Sequence, residues 1–245
     1  MFYRFKIIIQ YDGTNFFGWQ LQKNKRTIQG VLEKTLKLIL KSKSRIPVHG
    51  SGRTDTGVHA WGQVAHADMD IKMDVESMMK AINGNLPKDI QILDFVRVEN
   101  DFHSRFNAKK RCYRYQLYNG KSLLFNNQSW YIKSLDLKLL NKLSTYIIGK
   151  HDFLSFSKFN KNKINTFCII FTSLWKVKNG IVYYKIEGNR FLHHMVRYLV
   201  ATMIAVNTKK ITIEEFKALL NNPQKEARIF KAPSKGLILE EVFYD

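Results

Sequence analysis

The chain is 245 residues long, with 45% apolar and 13% aromatic residues, enough to bury a full core and too much for a disordered tail. Forty Lys and Arg against twenty Asp and Glu give a formal charge of +20, which points to a polyanionic partner, either nucleic acid or an anionic membrane surface. Two cysteines without CxxC spacing, no apolar leader and no run approaching a bilayer span argue against a disulfide scaffold, a zinc ribbon and a membrane protein, so a cytoplasmic location is expected.

Residues 2–11 are rich in aromatic and β-branched side chains and run into Asp12-Gly13, the pattern of a strand leaving into a turn. In Tyr11-Asp-Gly-Thr-Asn-Phe-Phe-Gly-Trp-Gln20, aromatics alternate with glycines and small polar groups. Phe16, Phe17 and Trp19 can stack on bases or anchor the loop on the core, and anchoring is expected for most of them. Lys23, Lys25 and Arg26 then read as a solvated basic loop. Thr27 is a good N-cap for a helix over 27–41, with Ile28, Val31, Leu32, Leu36 and Ile39 on one stripe. A short strand is expected over 46–49.

Next comes Gly50-Ser-Gly-Arg-Thr-Asp-Thr-Gly-Val-His-Ala60, the densest polar stretch of the chain. Gly50, Gly52 and Gly57 permit positive φ or close approach by another backbone. Arg53 and Asp55 are two apart, so an extended segment puts them on one face and a turn can join them. The plainer reading is a connection in which Asp55 caps a turn and Arg53 is solvated.

A strand over 62–68, a helix capped by Asp74 and ending near Asn83-Gly84, and a strand over 90–98 complete the first hundred residues. Along residues 108–115 an extended chain sets Lys109, Arg111, Tyr113 and Tyr115 on one face and Lys110, Cys112 and Arg114 on the other. Basic groups beside rings suit phosphate and base contacts together, and an edge strand protected by charge is the alternative. Further on, Asp136 starts a helix over 136–148, and His151-Asp152-Phe153 reads as a turn. Residues 158–163 read as a basic loop, and Asn179-Gly180 as a hairpin turn between strands 166–178 and 181–187. Asn189 is a candidate cap for a helix over 190–205. A second helix over 212–220 and a strand over 236–244 follow. The element order gives an α+β fold of two similar halves, 1–106 and 107–245, with no linker between them.

The chain has no GxxxxGK[ST], HExxH or GxSxG. His193 and His194 are adjacent on the expected helix and point about a quarter-turn apart, poorly placed for joint metal ligation, so no metal is expected there. Carboxylate chemistry remains, and Asp55 is the best-placed group: beside Arg53 it stays ionised and can act as nucleophile or base. Two other classes stay open on the residues alone. One is a non-catalytic RNA-binding protein or chaperone. The other is a glycoside- or nucleoside-cleaving enzyme, whose second carboxylate would come from Asp68 or Asp70, read as loop residues past the strand.

The stretch 50–60 with Gly62-Gln-Val resembles the signature of the tRNA pseudouridine synthase A family. Tyr11-Asp-Gly with Phe17-Gly-Trp-Gln, Asn83-Gly-Asn-Leu-Pro, Asp101-Phe-His-Ser-Arg-Phe, Arg111-Cys-Tyr-Arg-Tyr, Asn189-Arg-Phe-Leu-His-His-Met-Val-Arg197 and Gly236-Leu-Ile-Leu resemble its other segments in order. Thr56 departs from the family's usual alanine, and residues 201–207 lack its glycines. The resemblance implies mainly antiparallel sheets joined into one continuous central sheet flanked by helices. It also implies isomerisation of uridine to pseudouridine at positions 38 to 40 of the tRNA anticodon stem-loop, without cofactor, by a homodimer whose two chains both touch the tRNA. Asp55 would be the catalytic aspartate. Arg53 would pair with it and fill the gap left by the flipped base. Tyr113 would stack on the uracil, and Arg197 would supply a second positive charge. His59 is expected to be structural.

Overall fold

The computed structural model describes residues 1–120, 124–158, 165–225, 227 and 229–244. The expected basic loop over 158–163 therefore lies, from residue 159 on, outside the described residues. The fold is α+β, with ten strands and five α-helices among the described residues, and it divides into two compact units. The first is residues 1–109 with 239–245, and the second is 110–238.

In the first unit the central strand is β1 (Tyr3–Tyr11), paired antiparallel to β3 (His59–Met69) on one side and β4 (Ile90–Val98) on the other. Its inward face alternates Phe5, Ile7, Ile9 and Tyr11, all buried, and Phe5 stacks on Phe95 at 4.9 Å between ring centroids. Each such aliphatic or aromatic side chain taken out of water contributes about 1.5–3 kcal/mol. Two helices, α1 (Ile28–Ile39) and α2 (Val75–Asn85), have the expected caps: Thr27 accepts from Gly30 N–H and Asp74 from Ser77 N–H. The short strand falls on β2 (His49–Gly50) rather than 46–49, and β3 begins three residues earlier than the apolar alternation suggested. At its other end β3 runs to Met69, so Asp68 stands on the strand, not in a loop past it.

In the second unit β5 (Lys110–Tyr118), β9 (Ile181–Gly188), β8 (Phe167–Lys178) and β7 (Gly149–Asp152) form an antiparallel run, and β6 (Trp130–Tyr131) joins β5 in parallel. Asn179 and Gly180 both take positive φ (51° and 77°), as a tight hairpin between β8 and β9 requires. His151 and Asp152 are not in a turn: they pair with Cys168 and Phe167 as part of β7. Helix α3 (Leu137–Thr145) packs on β8 and against α4 (Met195–Asn207), which also meets α5 (Ile213–Asn221). Almost every residue of α4 is buried, as a helix that is apolar all round should be.

Helix α4 starts five residues later than Asn189 suggested. Asn189 spends its polar groups on the neighbouring strand: its Oδ1 accepts from Ile169 N–H at 2.9 Å and its N–H donates to Ile169 O at 3.0 Å. The chain then runs irregularly to His194, whose left-handed backbone (φ 66°) turns it into the helix. No described helix is long and apolar enough to cross a membrane. The final strand, β10 (Leu237–Phe243), belongs from Leu239 on to the first unit, where Phe243 O accepts from Lys109 N–H at 2.9 Å.

Candidate active site

The polar stretch 50–60 connects β2 to β3 and is held along its length by side chains from elsewhere in the first unit. Ser51 N–H donates to Val64 O at 2.7 Å, and Ser51 Oγ donates to Gln63 Oε1 at 2.7 Å. Gln63 is fully buried and uses the other end of its amide to donate to Gly52 O at 3.0 Å. Two residues on, Trp19 N–H donates to Thr54 O at 3.1 Å, and the Thr54 and Tyr11 hydroxyls meet at 2.8 Å. Val58 N–H then donates to Asp55 O at 3.1 Å, closing a tight turn over Asp55 and Thr56 with Gly57 at φ 75°. The Asp55 side chain is half-buried and Arg53 and Thr56 are exposed. The result is a carboxylate on a rigid, water-accessible turn, with a guanidinium two residues away.

The clamp on this turn is the aromatic and glycine stretch after β1. Gly18 has φ +82°, and a Cβ there would lie 2.5 Å from Thr54 O, so only glycine lets the two segments approach. Gly50 meets the Trp19 indole, whose nearest ring atom is 2.6 Å from where a Cβ would stand. Phe16 and Trp19 are buried anchors, as expected, whereas Phe17 is 43% exposed with Lys25 Nζ 4.4 Å from its ring. His59 is structural in its contacts: buried, it accepts from Gly13 N–H at 3.1 Å beside the Asp12 carboxylate.

Of the residues expected to act, Asp55, Arg53 and Lys109 lie in the first unit, and Arg111, Tyr113 and Arg197 in the second. The turn closes through the backbone bond from Val58 N–H to Asp55 O, and Arg53 is exposed beside it. Tyr113 is half-exposed on β5, opposite Ile186, with the Phe191 ring edge-on at 5.1 Å. The core aromatic of that face is Tyr115, fully buried with its hydroxyl donating to Pro233 O at 2.8 Å. Arg111 donates to Asn189 O at 2.9 Å, and Lys109 is exposed. On the opposite face Lys110 is engaged by Glu187 at 2.9 Å, and Lys185 reaches the same carboxylate. Arg197 is no surface charge: at 8% exposure it donates through Nε to Ala232 O at 2.7 Å.

The second carboxylate that a glycosidase would need is already engaged. Arg4 grips Asp68 through two bonds of 2.7 and 2.8 Å, which hold its carboxyl below the usual range and deny it a proton to give. Asp70 receives the N-terminal ammonium at 3.0 Å. Sequence spacing gave no sign of the support set, Tyr11, Thr54 and Gln63. Their partners are 43 and up to 12 residues distant in the chain, and only strand pairing brings them together.

The chain matches the family model described as tRNA pseudouridine synthase over residues 7–107 and 144–245. Named relatives called tRNA pseudouridine synthase A match it end to end. The one from Phytoplasma mali is 38% identical over 243 residues, covering 99% of both chains. That from Pseudothermotoga lettingae is 38% identical over 98% of both. That from Thermosipho melanesiensis is 40% identical over 98% of this chain and 99% of its own.

Proposed function

The chain belongs to the tRNA pseudouridine synthase family, an isomerase family acting on uridine in tRNA, and from that premise we propose that Asp55 is its nucleophile and the anticodon stem-loop, at positions 38 to 40, its target. The observation that carries the assignment to Asp55 is the clamped turn, which presents a half-buried carboxylate on a fixed backbone beside an exposed arginine. A uridine within a stem is out of reach until it is flipped out, at a cost of a few kcal/mol. Arg53, solvated and next to Asp55, occupies the space the base vacates. Tyr113 stacks on the extruded uracil from β5. Arg197 supplies positive charge, and Lys109 and Arg111 hold phosphates.

In the reaction the bond from C1′ to N1 breaks, the uracil turns, and C1′ bonds to C5. The hydrogen on C5 leaves as a proton, N1 gains one, and nothing is oxidised or reduced. The Asp55 carboxylate makes this possible by attacking either C1′ or C6. In this reading Tyr113, half-exposed on β5, also lies near the proton that leaves C5. The acting form is taken to be a homodimer, supported by an apolar stripe on β8: Phe167, Ile169 and Phe171 are 50%, 38% and 50% exposed at alternating positions. We place the protein in the cytoplasm with its tRNA.

The test is release of tritium from tRNA transcripts carrying 5-tritiated uridine, compared between the protein and its Asp55→Ala variant. Release by the former, none by the variant and no free uracil is the expected result. Undiminished release by Asp55→Ala would remove Asp55 from the mechanism, and binding without release by either protein would favour a non-catalytic RNA-binding role.

A further inference from the structure

We propose that Tyr11 and Thr54 form a positioning pair that sets the direction of the Asp55 carboxylate, so that the bond between their hydroxyls governs the chemical step rather than tRNA affinity. The inference rests on Asp55 being the attacking group.

Tyr11 is the last residue of β1 and is paired on both sides, to Ala60 of β3 and to Ile90 of β4. Its ring is buried, 3% exposed, and lies 6.4 Å from the Trp19 ring. The position of the phenol oxygen is therefore set by three strands and a packed indole. That oxygen meets Thr54 Oγ1 at 2.8 Å, in a site where both residues are buried. Thr54 is gripped a second time through its carbonyl, by Trp19 N–H at 3.1 Å. Because the peptide group is planar, fixing that carbonyl also fixes the nitrogen and Cα of Asp55. The bond from Val58 N–H to Asp55 O holds the far side of the same residue. With the preceding peptide and side chain tied to β1 and its loop, and the following peptide closed by the local turn to Val58, the Asp55 Cβ has one direction.

Attack on carbon requires the reacting atoms to be held close to the productive geometry, and a displacement on the order of 1 Å costs about a hundredfold. The hydroxyl pair points away from solvent, so it cannot itself touch RNA phosphates. Its loss should therefore appear in the rate at saturating tRNA.

Tyr11→Phe and Thr54→Val remove the bond from either side at nearly constant volume, and Thr54→Ser keeps the hydroxyl. The measurements are kcat by tritium release at 20 °C, Kd for tRNA by filter binding, and Tm. Tyr11→Phe and Thr54→Val should each lower kcat by about tenfold or more, with Kd unchanged and Tm lower by about 2–4 °C. The double variant should be no slower than the worse single one, since both remove the same bond. Thr54→Ser should recover most of the rate lost in Thr54→Val. A Tyr11→Phe protein with the original kcat, or losses that multiply in the double variant, would overturn the inference. Asp55→Asn, run alongside, separates the two readings. If it is active, the nucleophile assignment fails; if it is inert while Tyr11→Phe is fully active, only the positioning pair fails.

Discussion

Three glycines on or against the Asp55 turn have a reason within the fold: Gly18 and Gly57 carry positive φ, and Gly50 lies under Trp19. Gly52 has none. Its φ is not positive and a Cβ there would meet nothing within 4 Å. If the tRNA backbone passes through this open space beside Arg53, the glycine is kept for binding rather than for folding. Gly52→Ala should leave Tm unchanged or slightly raised, since it stiffens only the unfolded chain. It should weaken tRNA binding about tenfold, at an overpacking cost of about 1–3 kcal/mol; an unchanged Kd with a lowered Tm would place the need for glycine back in the fold. Asp55 and Arg53 were legible in the sequence because charged groups between glycines mark a held loop. Their holders were not: nothing local to Tyr11 or Gln63 says that strands β1 and β3 will carry them to Thr54 and Ser51.

At the scale of elements, local chemistry was a good guide where it acted alone and a poor one where a neighbouring strand competed. Thr27, Asp74 and Asp136 cap the helices they announce, and Thr212 caps α5 in a full capping box with Glu215. Asn189 had the same credentials and was taken by β8 instead, and His151-Asp152 became a strand because Phe167 and Cys168 lie opposite. A comparable long-range hold fixes the segment after β4. Ser104 N–H donates to His66 Nδ1 at 3.2 Å, Ser104 Oγ donates to His49 O at 2.6 Å, and the Tyr244 hydroxyl donates to Ser104 O at 2.6 Å. Burial, with the neighbouring His103, Arg4 and His49, pushes the His66 imidazole down to about 4, from 6.5. Protonating Nδ1 would also break the bond from Ser104 N–H. Between those two values the unfolded chain binds the proton and the folded chain does not. Stability is therefore complete above about pH 6.5 and falls as pH drops towards 4, by about 2 kcal/mol at pH 5. Tm should fall by roughly 4–8 °C between pH 7.5 and pH 5, and His66→Gln should flatten that dependence. A variant with the original pH profile would assign the loss to other groups, such as His103, which burial also lowers.

Taken whole, the molecule combines a formal charge of +20 with an uncovered apolar stripe on β8. The charge was readable from composition and the stripe was not, because Phe167, Ile169 and Phe171 alternate with the buried Cys168 and Ile170 and so look like an ordinary half-buried strand. If a second copy covers the stripe, Phe171→Asp should shift the mass measured by light scattering from dimer to monomer and remove the dependence of Tm on protein concentration. A variant that stays dimeric would place the subunit contact elsewhere. The composition of the first unit bears on how the protein is made. Its residues 239–244 pass Glu240 O so near Gly62 that a Cβ there would lie 2.8 Å away, and they anchor to Lys109 and Ser104. A ribosome must therefore synthesise the whole second unit before the first receives its last strand. The half bearing Asp55 begins to form early in translation and is completed late, so for most of synthesis the nascent chain carries the turn in a unit that lacks its last strand and cannot be a finished enzyme.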